Sequence, residues 1–275
     1  MSSVQFQPVG HLLRDWRKRR RLSQLDLACD AEISSRHLSF LETGRSLPSR
    51  EMVLRLARKL DIPLRERNSL LVAAGYAPVF KATSLEDPKL DTARRVIDLL
   101  LRAHEPYPAL AVDRHWTLLS ANRVASLFMA GIDPSLLQPP VNVLRLTLQP
   151  GGLASRIINL VQWRSHLLDR LQTQIEVTAD PVLVELRNEL SGYPVSSQDD
   201  QSTTLETDFA GVAIPFQLAT EAGVLSFLST TTVFGTPVDI TLSELAMESF
   251  FPADARTFDT LNQLFKRDAD DILSR

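Results

Sequence analysis

Apolar residues recur at helical spacing through the first 78 positions, then give way to a mixture of helical and alternating runs. Leu12, Leu13 and Trp16 stand beside Arg14, Arg17, Lys18, Arg19 and Arg20, which predicts an amphipathic first helix. Ser23 to Asp26 reads Ser-Gln-Leu-Asp, a capping box whose hydroxyl and carboxylate each satisfy a free backbone N–H. A second helix therefore opens there, with Leu25, Leu27 and Ala28 as its apolar contacts, and ends near Asp30-Ala31. Ser34 caps a third that reaches about Thr43, where Gly44 stops it. Ser49, after Pro48, caps a fourth with Met52, Val53, Leu56, Ala57 and Leu60 inward, and Pro63 separates it from a fifth over Arg65 to Gly75. Two short helices joined by a few residues, with the small Ala28 near the turn, describe a helix-turn-helix. In the third helix Leu38 and Leu41 face inward, as His37 nearly does. Ser35, Arg36, Ser39 and Phe40 take the opposite, nearly acid-free side, a face suited to a major groove.

The polar stretch KATSLEDPK marks a linker, placed at 79–90. Beyond it, Leu90 to Ala103 reads as a helix, and the runs 109–113 and 116–121 as a hairpin turning at Arg114-His115. A helix over Asn122 to Met129, a proline-rich loop, a short helix over Val141 to Leu148 and a long amphipathic helix over 153–177 follow. Pro181 restarts a helix to Leu190, and the polar residues 191–208 read as a mobile loop. The β-forming runs 212–220 and 224–234 make a second hairpin around Glu221-Ala222-Gly223. Val238 to Thr241 reads as a last short strand, Thr241-Leu-Ser-Glu244 as a capping box opening a helix, and 254–272 as a closing helix. The expected fold is an all-α head (1–78) followed by an α+β domain (91–275) around an antiparallel sheet.

Charge follows the same division. Residues 1–78 carry 14 Lys and Arg against 8 Asp and Glu, and the remainder carries 16 against 25, so a basic head precedes an acidic body. The basic run Arg17 to Arg21 is expected to aid attraction to DNA, while Glu42 braces the fold because a carboxylate facing phosphate repels it. No apolar run approaches the ~18 residues of a membrane helix, and the amino terminus lacks the pattern of a secretory signal. A single cysteine, Cys29, rules out an internal disulfide or a thiolate zinc site within one chain, so a reducing cytoplasm is expected. His104-Glu105 begins like a zinc-protease motif, but Tyr107 and Pro108 stand where it must continue. There is no G-x-S-x-G elbow and no phosphate-cradling glycine loop, so neither catalysis nor a cofactor is expected.

The segment LSQLDLACDAEISSRHLSFLETGRSLPSREMVLRLARKL resembles the phage-repressor, or Xre, type of helix-turn-helix. The resemblance implies that Gln24 meets a phosphate, that Ser34, Ser35 and Arg36 sit at the groove with Ser39 and Phe40 further along, and that Arg45 reaches the DNA backbone. Phe40 has two readings, packing within the protein or contact with a thymine methyl. The body segments HEPYPALAVDRHWTLLSAN, NVLRLTL, INLVQWRSHLL and LSFLSTTTVFGTPVDITLSELAMESFFPAD resemble the PAS-like ligand-binding domain of MmyB-like transcription regulators. That resemblance implies a cytoplasmic bacterial regulator acting as a homodimer on a pseudo-palindromic double-stranded DNA operator, with a cavity for a fatty acid or similar acyl molecule. Trp116, Phe128, Trp163, Phe216 and Phe227 are collectively the expected cavity walls, though each taken singly, like Phe234, is by default a core residue. Arg145 and Arg164 are either the anchor of a ligand carboxylate or surface ion-pair partners. A body that only dimerises or binds a protein partner is the alternative.

Overall fold

The computed structural model describes residues 7–194 and 213–273. They fall into two compact units, the first built on residues up to 83 with 174–179 and 237–243, the second on the rest.

Up to residue 83 the first unit is built from α1 (Val9–Arg19), α2 (Gln24–Asp30), α3 (Ser35–Glu42), α4 (Arg50–Lys59) and α5 (Leu64–Ala73). The polar signals act where the sequence places them. Ser23 Oγ accepts from the Asp26 N–H and the Asp26 carboxylate accepts from the Ser23 N–H, while Ser34 and Ser49 cap α3 and α4. Gly44, at φ +73°, takes the left-handed conformation that ends α3. Leu13, Leu27, Leu38, Leu41, Val53, Leu56 and Leu70 form one buried cluster. α1 approaches the end of α3 so closely that a Cβ on Gly10 would lie 2.3 Å from the Leu41 carbonyl oxygen. Leu25, expected inward, is 65% exposed, because Leu27 and Ala28 already fill the contact.

The second unit is an α+β domain on a five-stranded antiparallel sheet. Its strands are β1 (Ala109–Val112), β2 (Leu118–Ala121), β3 (Phe216–Thr220), β4 (Gly223–Val233) and β5 (Ala246–Pro252), in the order β2-β1-β5-β4-β3. Alternation along the strands gives the sheet two different faces. Ala109, Ala111 and Met247 pack against Ile97 and Leu101 of α6 (Asp91–Ala103), with Phe234 at the edge of that cluster. The Ser226 N–H on the same side donates to Thr257 of α12 (Ala255–Leu273). The opposite face presents Leu110, Phe216, Phe227 and Phe250 toward α7 (Arg123–Leu127), α8 (Val143–Leu148) and α9 (Leu160–Thr178). Asp180 caps α10 (Pro181–Ser191).

Several expected boundaries shift. The 238–241 segment forms no strand of the sheet. It makes one bridge, Lys81 to Asp239, and enters the four-residue α11 (Ile240–Ser243). Asp239, rather than Thr241, supplies the cap, accepting from the Thr241 N–H. The missing fifth strand is β5, where a helix was expected from the capping box. A seven-residue segment that pairs with β1 on one side and β4 on the other gains two ladders, which outweighs a local helix signal. The expected helix over 153–177 begins only at Leu160, because Ile157 bridges Leu218 and the Asn159 side chain bonds both Pro215 O and the Gln217 N–H. The expectation of a mobile loop over 191–208 lies, from 195 on, outside the described residues.

Candidate functional site

On the head, Ser34, Ser35, Arg36 and Arg45 are exposed, and Ser39 and Phe40 are half-buried along the same helix. Phe40 lies under both arginines, with the Arg36 guanidinium 5.4 Å and that of Arg45 5.8 Å from its ring centroid. Three of the seven side chains expected at DNA, Arg36, Phe40 and Arg45, thus form one basic group arranged around an aromatic ring.

Behind this face lies a buried polar cluster. Glu42, 1% exposed, receives two hydrogen bonds from Arg17, at 2.6 and 2.9 Å, and a third from Gln24 Nε2 at 2.8 Å. Burial pushes its carboxyl up, but the bonds from Arg17 and Gln24 and the Arg17 charge outweigh this and hold it below the usual range. Gln24, expected at a phosphate, thus spends its amide N–H on the protein's own Glu42 carboxylate. The Arg17 to Arg21 run is also divided. Arg17 is buried in this cluster and Arg20 donates to the Leu60 and Asp61 carbonyls, which leaves Lys18, Arg19 and Arg21 on the surface.

In the second unit a cavity of about 90 Å³ is bounded by Leu110, Phe128, Met129, Leu146, Trp163, Phe216, Phe227 and Phe250, among others. Its aromatic rings interlock. Trp163 lies 5.1 Å from Phe216, and Phe227 lies 6.0 to 6.3 Å from Phe128, Phe216 and Phe250. A second cavity of about 50 Å³ shares Leu110, Val143, Thr147, Trp163 and Phe250 with the first, and adds Trp116, Arg170 and Glu248. The structure thus brings Phe128, Trp163, Phe216 and Phe227 together in one wall and places Trp116 at the neighbouring space. Trp116 sits in a turn rather than a strand, at φ +66°, where the Asp113 carboxylate accepts from the His115 and Thr117 N–H groups.

The expected arginine anchors lie elsewhere. Arg145 makes a two-bonded ion pair with Glu189, and Arg164 donates to the Leu190 and Ser191 carbonyls; neither lines either of these two cavities. Both sit on helix faces turned toward α10, which the helical pattern of apolar residues could not reveal. The arginine that does line the space is Arg170. It bonds both oxygens of Glu248 and the Thr231 hydroxyl, and lies 4.6 Å from the Trp116 ring centroid. Sequence reading missed Arg170, Glu248 and Phe250. The last two belong to β5, so the helix expected there concealed the period-two placement that turns both to one face.

Among the described residues no group of three or more His, Cys, Asp and Glu is placed to hold a metal ion, and no helix is long and apolar enough to cross a membrane. Residues 93–264 match the family model described as the MmyB-like transcription regulator ligand binding domain, and residues 8–70 match one described as a helix-turn-helix domain. No curated protein matches the chain.

Proposed function

This chain belongs to the MmyB-like transcription regulators, and we propose that it is an Xre-type member that binds a pseudo-palindromic DNA operator as a homodimer and answers to a small apolar ligand of acyl type. The two family matches make the chain a helix-turn-helix regulator with a ligand-binding domain. The apolar ligand rests on the interlocked aromatic cavity, where Phe128 just after α7, Trp163 of α9 and the paired Phe216 and Phe227 of β3 and β4 border open space. The antiparallel sheet with helices on both faces supports the PAS-like description. We retain 1–78 as the DNA-binding domain, 79–90 as linker and 91–275 as the ligand-binding and dimerising domain, and assign the protein to the bacterial cytoplasm with no catalytic role.

The space of the cavity limits the ligand. At about 90 Å³, with about 50 Å³ beside it, it is smaller than the ~300–1,000 Å³ of ordinary ligand pockets. A short acyl chain fits as the walls stand, and a long one requires them to part. Titration of delipidated protein with compounds of one head group and rising chain length tests the reading. Each added methylene should improve affinity by ~0.8 kcal/mol, about fourfold, until the space is filled. Affinity independent of chain length removes the apolar ligand.

A body that also dimerises has its own support. α6 buries Ile97 and Leu101 against the sheet, yet leaves Val96, Leu99 and Leu100 exposed, an apolar stripe on the side away from the core.

A further inference from the structure

Among the described residues that line the two cavities, Arg170 is the one cation, and Glu248 already neutralises it. Two guanidinium nitrogens meet the two carboxylate oxygens, one of them also reaches the Thr231 hydroxyl, and Glu248 is 3% exposed. A carboxylate entering this space finds no uncompensated positive charge and meets Glu248 at close range, so it arrives desolvated and repelled. His166, tilted against Trp163 at 5.2 Å, adds no charge at neutral pH. Burial foremost, and then the Arg170 charge, hold its imidazole below the usual range against the opposing pull of Asp169 and Glu248. Arg156 lies near Phe128 but donates to the carbonyls of Phe128, Ala130 and Ala219, and it lines neither cavity.

One buried donor common to both walls is unused. Trp163 borders both cavities and is 3% exposed, and its Nε1 has no hydrogen-bond partner. The Thr147 hydroxyl, the other polar group common to both walls, donates to the Val143 carbonyl at 2.6 Å. A buried N–H without an acceptor is uncommon in folded proteins and leaves its desolvation uncompensated. An acceptor on a bound molecule would remove that deficit.

We propose that Trp163 Nε1 is the head-group donor of the cavity, and that the ligand offers it an uncharged acceptor, the carbonyl of an amide, ester, lactone or ketone on an apolar body, in place of a carboxylate. This rests on the cavity being the ligand site. It replaces ion pairing by a single neutral hydrogen bond as the polar element of recognition, and leaves the Arg170–Glu248 pair intact when the ligand enters.

Calorimetric titration of the delipidated full chain with octanamide and with octanoate, which share an apolar chain, tests the head group directly. At pH 7.5 octanamide should bind at least ~10-fold more tightly, because octanoate must shed its charge or bury it. As pH falls from 7.5 to 6.5 octanoate should gain up to ~10-fold as its neutral acid becomes more abundant, while octanamide stays constant. Trp163→Phe should weaken octanamide by ~3- to 10-fold, the worth of one hydrogen bond, and leave octane, which has no acceptor, little changed. Octanoate bound as tightly as octanamide at pH 7.5 overturns the proposal without any variant, and so does an octanamide affinity unaffected by Trp163→Phe in a folded protein. Failure of octane, octanamide and octanoate alike to bind overturns the cavity reading itself, and the head-group assignment with it.

Discussion

Phe40 holds two arginines on one ring, which joins residues that sequence spacing treats separately. Its expected alternatives were packing within the protein or a thymine contact, and the structure adds a third use, as a platform that keeps Arg36 and Arg45 in place. Arg36→Ala should cost roughly 1–3 kcal/mol on a cognate operator and little on random DNA, as base contacts do. Phe40→Ala should weaken operator binding too, but less in the Arg36→Ala background than in the wild type, because part of its effect passes through that arginine. Fluorescence anisotropy on the four proteins of this cycle measures the coupling, and strictly additive losses would remove the platform role. Glu42 was legible as a brace from its charge alone, whereas its partner Arg17 was counted with the DNA-attracting run. Amphipathic spacing puts Arg17 beside Arg14 and Lys18 but cannot show that its guanidinium turns into the core. Removing the carboxylate by Glu42→Ala leaves that cation buried and should destabilise the protein by roughly 3–5 kcal/mol at pH 7. Since the folded-state pKa of Glu42 lies below its unfolded value, its contribution is present at neutral pH and disappears as pH falls through the folded value. Urea unfolding should therefore show the wild type and Glu42→Ala converging in acid.

Helices with strong caps were readable to within a few residues, and the head is made of them. α2, α3 and α4 each begin after a serine whose hydroxyl accepts a backbone N–H, so local chemistry alone fixes where they start. The body is different, because its elements answer to partners far along the chain. β5 pairs with residues 109–112 and 227–233, and neither neighbour is visible in the seven residues Ala246 to Pro252. Asn159 likewise uses its side chain on Pro215 and Gln217, which holds back the start of α9 despite apolar residues at helical spacing before it. The candidate cavity was legible in its aromatic residues, which are bulky and apolar wherever they occur, and illegible in its polar ones, whose orientation depended on β5. α6 shows the same limit from outside. Its pattern predicts a helix with one apolar face, but Leu99 is 67% exposed and Val96 and Leu100 are also uncovered, which leaves more apolar surface than the sheet can cover. If that stripe joins two copies, Leu99→Glu should turn dimer into monomer in light scattering and lower operator affinity, while the thermal stability of the monomer stays near that of the wild type. A dimer that survives Leu99→Glu unchanged places the interface elsewhere.

At the scale of the whole chain, a regulator needs a ligand that distinguishes two states of the protein, because equal affinity for both shifts nothing however tight the binding. The two family matches place a DNA-binding function and a ligand-binding function on one polypeptide, and thermodynamics then constrains them jointly whatever the route between them. If saturating ligand changes operator affinity by some factor, saturating operator must change ligand affinity by the same factor and in the same direction. Typical coupling of ~1–3 kcal/mol corresponds to a factor of ~5–150, within reach of both titrations. A short operator duplex should accordingly raise or lower octanamide affinity as much as octanamide raises or lowers operator affinity. Trp163→Phe should shift that effect to higher octanamide concentration without altering operator binding in the ligand's absence, since Trp163 belongs to the cavity walls and not to the basic face around Phe40. Operator affinity that is independent of octanamide, in protein shown to bind octanamide, would mean that this compound fills the cavity without favouring either state. In that case the apolar wall is sufficient for binding but not for response, and the signal must come from what a longer or bulkier acyl body does to walls enclosing only about 90 Å³. A chain-length series read out on operator affinity, rather than on ligand binding, should then show response beginning only beyond the length at which the cavity is filled.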